Sequence, residues 1–142
     1  MEKNINQVFK SRVKKYGEKI AVEKKLNGIW QSSTWNEYYN KSRSCGLGLY
    51  SLGIRKGDRI SLLSENRLEW VYTDMGTLGI GACVVPIYTT LIAEEVEYIV
   101  SNSESKILIV ENKVQLEKAL EVSKNYMELV KIIVIGPNIV LT

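Results

Sequence analysis

The chain has 142 residues, of which 45% are hydrophobic, enough to bury the core of a single domain. Its 19 basic and 16 acidic residues leave a net charge of +3 that is scattered along the sequence, with no basic stripe of the kind that tracks a nucleic-acid backbone. Histidine is absent, which removes the side chain that most often serves as general base or metal ligand near neutral pH.

The opening segment places Ile5, Val8, Phe9, Val13 and Tyr16 at helical spacing, with Lys10, Lys14 and Lys15 on the other flank. This predicts an amphipathic helix stopped by Gly17. Its basic face could lie on an anionic membrane, but docking on its own domain is the commoner use of such a helix. The segment has charges throughout and no apolar stretch of signal-peptide type, so the cytoplasm is the expected compartment.

Two β-type runs flank Asn27-Gly28, a pair that supplies the positive backbone angles of a tight hairpin turn, so an antiparallel hairpin is expected over 19–34. Thr34-Trp35-Asn36-Glu37 then fits a capping box and starts a helix. Its stripe is Tyr38, Ser42, Cys45, Leu49 and Leu52, and Gly53 supplies a left-handed stop.

From Arg59 onward one rhythm repeats. Strands are expected at RISLLS, ACVVPIY, KILIVE and KIIVIG, separated by helices near 68–80, 94–102 and 113–126. In the last helix Leu116, Ala119, Leu120, Ser123 and Met127 share a face, leaving Glu117, Lys118, Glu121 and Lys124 outside. Strands that are apolar on successive residues are covered on both faces, and their alternation with helices indicates βαβ units. The expected fold is α/β: a largely parallel sheet preceded by a helix and an antiparallel hairpin, with residues 1–142 forming a single domain. Cys45 and Cys83 lie in apolar segments without zinc or disulfide spacing and are expected to be buried, inert thiols.

Two features could mislead. Gly76, Gly79 and Gly81 suggest a phosphate loop, but they end a helix and enter a strand, the reverse of the order that points helix amides at an anion. Small residues that let the helix press on the sheet explain them better. The 19 uncharged residues from Met75 to Ala93 are long enough to cross a bilayer, yet three glycines, a proline and three threonines interrupt them. A buried helix followed by a central strand gives the same absence of charge, and no transmembrane span is expected.

The candidate ligand contacts lie where open parallel sheets present them, beyond the carboxyl ends of strands. After RISLLS comes Ser64-Glu65-Asn66-Arg67, with Asn66 and Arg67 as cleft candidates; after ACVVPIY come Tyr88, Thr89 and Thr90. The alternatives are that Ser64 or Asn66 caps the following helix and that the second loop merely turns the chain.

At these residues the sequence resembles the N-terminal region of AMP-forming acyl-CoA synthetases, in the long-chain fatty-acid CoA ligase branch of the adenylate-forming enzymes. The resemblance rests on order: Gly57-Asp58 before a strand, the Ser64-Glu65-Asn66 elbow, Glu69-Trp70 in a helix start, Ile80-Gly81-Ala82 leading into Val85-Pro86-Ile87-Tyr88, then Glu94-Glu95-Val96-Glu97-Tyr98-Ile99. The hairpin and the Thr34-Trp35 helix start extend it over nearly the whole chain. It implies that a fatty-acid carboxylate attacks the α-phosphate of Mg-ATP to give acyl-adenylate and pyrophosphate, after which the coenzyme A thiol displaces AMP. Oriented amides, a metal ion and a lysine drive such chemistry, so the lack of histidine is no obstacle.

The family's glycine-rich phosphate loop with its lysine, its aromatic-Gly-x-Thr-Glu motif, its ribose-binding aspartate and its lid lysine have no counterpart in these residues. The resemblance therefore implies a portion of a ligase that has no catalytic residues and no cofactor site of its own, and is inactive alone. ATP, Mg, CoA and fatty acid belong to the parent enzyme, the remainder of the synthetase is the expected partner, and the parent is cytoplasmic or peripheral to a membrane. Two other readings stand beside this one. One is a stand-alone regulatory or binding α/β module; of the acids a receiver domain needs, RISLLSEN offers only Glu65 and ACVVPIY none. The other is a homodimer formed through open sheet edges.

Overall fold

Residues 3–136 are described by the structure, a computed structural model, and they fall into two compact units. The ends of the expected 1–142 domain lie outside the described residues. One unit, here the helical unit, comprises the chain up to Gly53 together with Arg67–Gly81; the other, the sheet unit, comprises Ile54–Asn66 and the chain from Ala82 onward.

The helical unit opens with α1 (Ile5–Tyr16), whose N-terminus is capped by the Asn4 side chain accepting from the Gln7 amide at 3.0 Å. Phe9 is its buried anchor, and its ring meets those of Tyr38 at 4.7 Å and Trp35 at 6.2 Å between centroids. Strands β1 (Ile20–Leu26) and β2 (Ile29–Thr34) pair antiparallel across Asn27 and Gly28, whose φ values of 50° and 81° are those of a primed turn. Helix α2 (Trp35–Ser51) begins with the complete capping box: the Glu37 amide donates to Thr34 Oγ1 at 3.2 Å, and the Thr34 amide to Glu37 Oε2 at 2.9 Å. Gly53 takes φ 96° just beyond it, as expected.

Gly17 takes the C-cap position directly after α1, so the helix stops where expected. Its φ is −24°, outside the left-handed region, and a Cβ there would lie 2.8 Å from the Asn36 side chain. The residue is small because the Asn36 side chain sits against it, while the Asn36 backbone N–H donates to the Gly17 carbonyl at 2.9 Å.

The remaining helix of this unit is α3 (Leu68–Gly79), and its main neighbour within the unit is α2. Gly76 meets another helix: a Cβ on Gly46 of α2 would lie only 2.5 Å from the Gly76 carbonyl oxygen. The buried positions of α2 are Ser42, Gly46 and Leu49, so the expected stripe shifts toward Gly46, while Leu52 is exposed and Cys45 half-buried.

The sheet unit contains β3 (Arg59–Leu63), β4 (Cys83–Ile87), α4 (Ala93–Asn102), β5 (Ile107–Val110), α5 (Lys113–Asn125) and β6 (Lys131–Val134). All pairings are parallel, in the order β4-β3-β5-β6. Leu63, Leu108, Val110 and Ile87 pack with Val96 and Val100 of α4 and with Leu116, Ala119 and Val122 of α5. Ile60, Leu62, Ile107 and Ile109 alternate to the opposite face and are also buried, which accounts for the unbroken apolar runs of β3 and β5.

Three expectations are corrected here. The buried face of α5 is Gln115, Leu116, Ala119 and Val122, whereas Leu120 is 47% exposed and Met127, beyond the helix end, is 82% exposed. Strand β4 lies at the sheet edge and not at its centre, because among the described residues it pairs with β3 alone. Cys83, at the start of that edge strand, is consequently exposed and not buried. Cys45 is half-buried, and burial pushes its thiol up, as expected of an inert sulfur. The uncharged run from Met75 to Ala93 is divided between α3, a turn, β4 and the loop to α4; no helix among the described residues is long and apolar enough to cross a membrane.

The Gly57-Asp58 pair has a clear physical role. Gly57 adopts φ 86°, which brings the Asp58 carboxylate back to accept the Arg55 amide at 2.8 Å and the Lys106 ammonium at 2.8 Å. This ties the entry of β3 to the entry of β5.

Candidate functional site

Because β3, β4 and β5 are parallel, the loops that follow them emerge at one end of the sheet. The loops are Ser64-Glu65-Asn66 after β3, Tyr88-Thr89-Thr90 after β4 and Glu111-Asn112 after β5. Their polar groups converge on one another. Glu111 Oε2 accepts the Glu65 amide at 2.9 Å, and the Ser64 hydroxyl donates to the Glu65 carbonyl at 2.8 Å, with Glu111 Oε2 3.4 Å away. The Thr89 hydroxyl donates to the Glu65 carboxylate. On the far side of the loop, Lys118 Nζ donates to the Thr89 carbonyl at 2.7 Å and to the Leu91 carbonyl at 2.8 Å, while Gln115 Nε2 lies 3.4 Å from the same Thr89 carbonyl. Asn112 caps α5 by accepting the Gln115 amide at 3.0 Å.

Of the five candidates, Thr89 is drawn into this network. Tyr88 is 82% exposed, and Thr90 is exposed on the same loop. Asn66 is exposed at the end of the β3 loop and gives no side-chain cap to α3; neither does Ser64. Arg67 belongs to the helical unit, where it occupies the cap position of α3 and pairs with Glu69 at 2.8 Å. That guanidinium is the first cause of the lowered Glu69 carboxyl pKa.

Sequence reasoning passed over Glu111, Gln115 and Lys118. Glu111 was accessible to it, since an acid immediately after a parallel strand occupies the ligand-facing end of the sheet. Lys118 was not: helical periodicity puts it among the outer residues, and only its half-buried stem and the two loop carbonyls reveal its role.

This cluster does not fit a nucleotide triphosphate or its magnesium ion. A phosphate cradle needs open amides and a cation free to spread charge. Here the Glu65 amide is taken by a carboxylate, two of the Lys118 donors go to backbone carbonyls, and Glu65 and Glu111 would repel an anion. Among the described residues no three Asp, Glu, Cys or His side chains gather to hold a metal. The arrangement can fix loop geometry and present Tyr88, Thr90 and Asn66 at the surface.

Comparison with known proteins places these elements in context. The family profile described as AMP-binding enzyme matches residues 9–140. The long-chain-fatty-acid–CoA ligase ACSBG2 of Xenopus laevis is 35% identical over 129 residues, covering 91% of this chain and 18% of that protein. Among solved structures, the anthranilate CoA ligase AuaEII in complex with anthranoyl-AMP superimposes with a TM-score of 0.84 at 27% identity, over 94% of this chain and 25% of the other. The N-terminal domain of FACL13 from Mycobacterium tuberculosis gives a TM-score of 0.82 at 26% identity, over 94% of this chain and 34% of the other. The chain thus spans about a fifth of the length of the curated relatives it matches.

Proposed function

Since the chain belongs to the AMP-binding enzyme family, we propose that it forms one structural segment of a long-chain fatty-acid CoA ligase and does not itself carry out adenylation. The whole enzyme would join a fatty-acid carboxylate to AMP with release of pyrophosphate, then pass the acyl group to the thiol of coenzyme A. The segment contributes the four-stranded parallel sheet and its flanking helices, and the rest of the synthetase is its partner.

One observation carries the reading of inactivity. At the end of the sheet where a ligand would be met, the Glu65 amide donates to Glu111, the Thr89 hydroxyl to Glu65, and the Lys118 ammonium to the Thr89 and Leu91 carbonyls. The reaction class is supported by the names of the relatives, which are long-chain-fatty-acid–CoA ligases in Xenopus laevis and in Mycobacterium bovis.

Two assays test the two halves of the proposal. The purified 142-residue chain, given ATP, magnesium and a long-chain fatty acid, is expected to release no pyrophosphate above the enzyme-free rate; turnover would overturn the claim of inactivity. A chimera of the Xenopus ligase carrying residues 9–136 of this chain in place of its own segment is expected to retain fatty-acid-dependent pyrophosphate release. A folded but inactive chimera would overturn the assignment to this ligase class.

A further inference from the structure

The helical unit holds a groove of about 210 Å³, bounded by α1, α2 and the last turn of α3. Its lining contains two cations, Lys10 and Arg43, and no acidic residue. Both cations are exposed, and neither has a hydrogen-bond or ion-pair partner among the described residues. The charge that looked scattered in the sequence is also unevenly shared: the helical unit has 11 basic and 6 acidic residues, the sheet unit 8 and 10.

The walls are mixed: Phe9, Leu47, Met75 and Ile80 are apolar, and Asn6, Tyr39 and Ser42 are polar. Phe9 and Met75 are buried at the base of the groove, and Leu47, 51% exposed, forms an apolar rim. The Ser42 side chain, 3% exposed, also belongs to the lining, and its hydroxyl has no hydrogen-bond partner among the described residues. Gly79 lines the groove without a side chain, and a Cβ there would meet nothing within 4 Å.

We propose that this groove binds the phosphate-monoester head of a single-chain amphiphile, with Lys10 and Arg43 holding the head and the first methylenes of the chain resting on Leu47 and Ile80. A phosphate monoester carries about −1.5 to −2 charges at neutral pH, which matches two unpaired cations better than the single charge of a carboxylate. Arginine and lysine together are the pair that recognises such a head. The volume, below the ~300–1,000 Å³ of sites that enclose a drug-sized ligand, suits a head and a few carbons and leaves the remaining chain outside. The groove is lined by residues of the helical unit alone and does not depend on the function proposed above.

The test is calorimetric titration of the 142-residue chain with dodecyl phosphate below its micellar concentration, with parallel titrations of inorganic phosphate and dodecanoate and co-sedimentation with phosphatidic-acid vesicles. Saturable one-to-one binding of dodecyl phosphate is expected, with inorganic phosphate and dodecanoate each weaker by about tenfold. Arg43→Glu and Gly79→Leu are each expected to weaken it by about tenfold or more with an unchanged circular dichroism spectrum, since Arg43 is exposed and the Gly79 substitution fills open space. Lys25→Glu, a charge reversal on the hairpin, is expected to change affinity by no more than about twofold. Absence of saturable binding, an equal loss in Lys25→Glu, indifference to Gly79→Leu, dodecanoate binding as well as dodecyl phosphate, or binding to vesicles alone would each overturn the proposal.

Discussion

Gly46 and Gly48 lie two residues apart in α2, and replacing each by alanine is expected to move stability in opposite directions. At Gly48 a Cβ meets nothing within 4 Å, so alanine brings only its higher helix propensity, roughly 0.5–1 kcal/mol. At Gly46 the same propensity gain is opposed by a Cβ 2.5 Å from the Gly76 carbonyl oxygen, where ordinary contact begins at 3.4 Å. The obstacle is backbone, so relief requires α2 and α3 to part by about 1 Å, loosening the packing around Leu49 and Met75 at a cost of roughly 1–3 kcal/mol. The net for Gly46→Ala is a loss of up to about 2.5 kcal/mol, or a Tm lower by up to about 8 °C for a chain of this size, against a rise of about 2–3 °C for Gly48→Ala. Urea and thermal unfolding followed by far-ultraviolet circular dichroism measure both. If Gly46→Ala proves as stable as Gly48→Ala, the helices do not meet through these glycines and the account of the helical unit is wrong.

Three further outcomes are expected. Burial holds the Asp74 carboxyl above its ordinary value, so the stability linked to it is fully present below the unfolded carboxyl pKa of about 3.9 and is lost as pH rises through the raised folded value. Asp74→Asn should therefore raise Tm at pH 7 with the gain vanishing below about pH 3, and it should lower the Tyr38 phenol from its value of about 12, which burial sets first and Asp74 second, in an ultraviolet pH titration. The Asp58 carboxyl is held below its ordinary value, first by Lys106 and then by the Arg55 amide, so its stabilisation is present above the unfolded pKa and lost as pH falls through the folded one; Lys106→Met should move the acid-unfolding midpoint to higher pH. Lys118→Met removes both donors to the Thr89 and Leu91 carbonyls, and proteolytic cleavage between Tyr88 and Leu91 should accelerate several-fold while global stability falls by only about 1 kcal/mol.

Local chemistry was the legible part of the fold. Asn27-Gly28 could turn the chain only one way, Thr34 and Glu37 could satisfy two helix-end amides reciprocally, and the apolar runs of β3 and β5 required two covered faces. Strand order was not legible, because ACVVPIY is as apolar as a central strand. The available clue was Pro86, which has no amide to give to a ladder and is therefore confined to edges, where β4 is found. The glycine pair of α2 and α3 was half-visible: Gly76 announced a close approach, but its partner Gly46 lies far away in sequence, and periodicity says nothing about which helix it meets. At the candidate site, loop positions followed from the alternation of strands and helices, and the members of the network did not, since Lys118 reaches the Thr89 loop from the next helix but one along the chain.

The hairpin turn has a further consequence, which concerns ageing. Asn27 and Gly28 sit exposed at its tip, and a glycine after asparagine leaves the backbone nitrogen unshielded against attack on the side-chain amide. Cyclisation there followed by hydrolysis yields isoaspartate, which routes the main chain through an extra methylene and replaces a neutral amide by an anion. The Lys25–Trp30 and Leu26–Ile29 pairs would then fall out of step. The residues that make this reversal tight thus also give the chain a molecular clock, and stored protein should carry its damage at that tip.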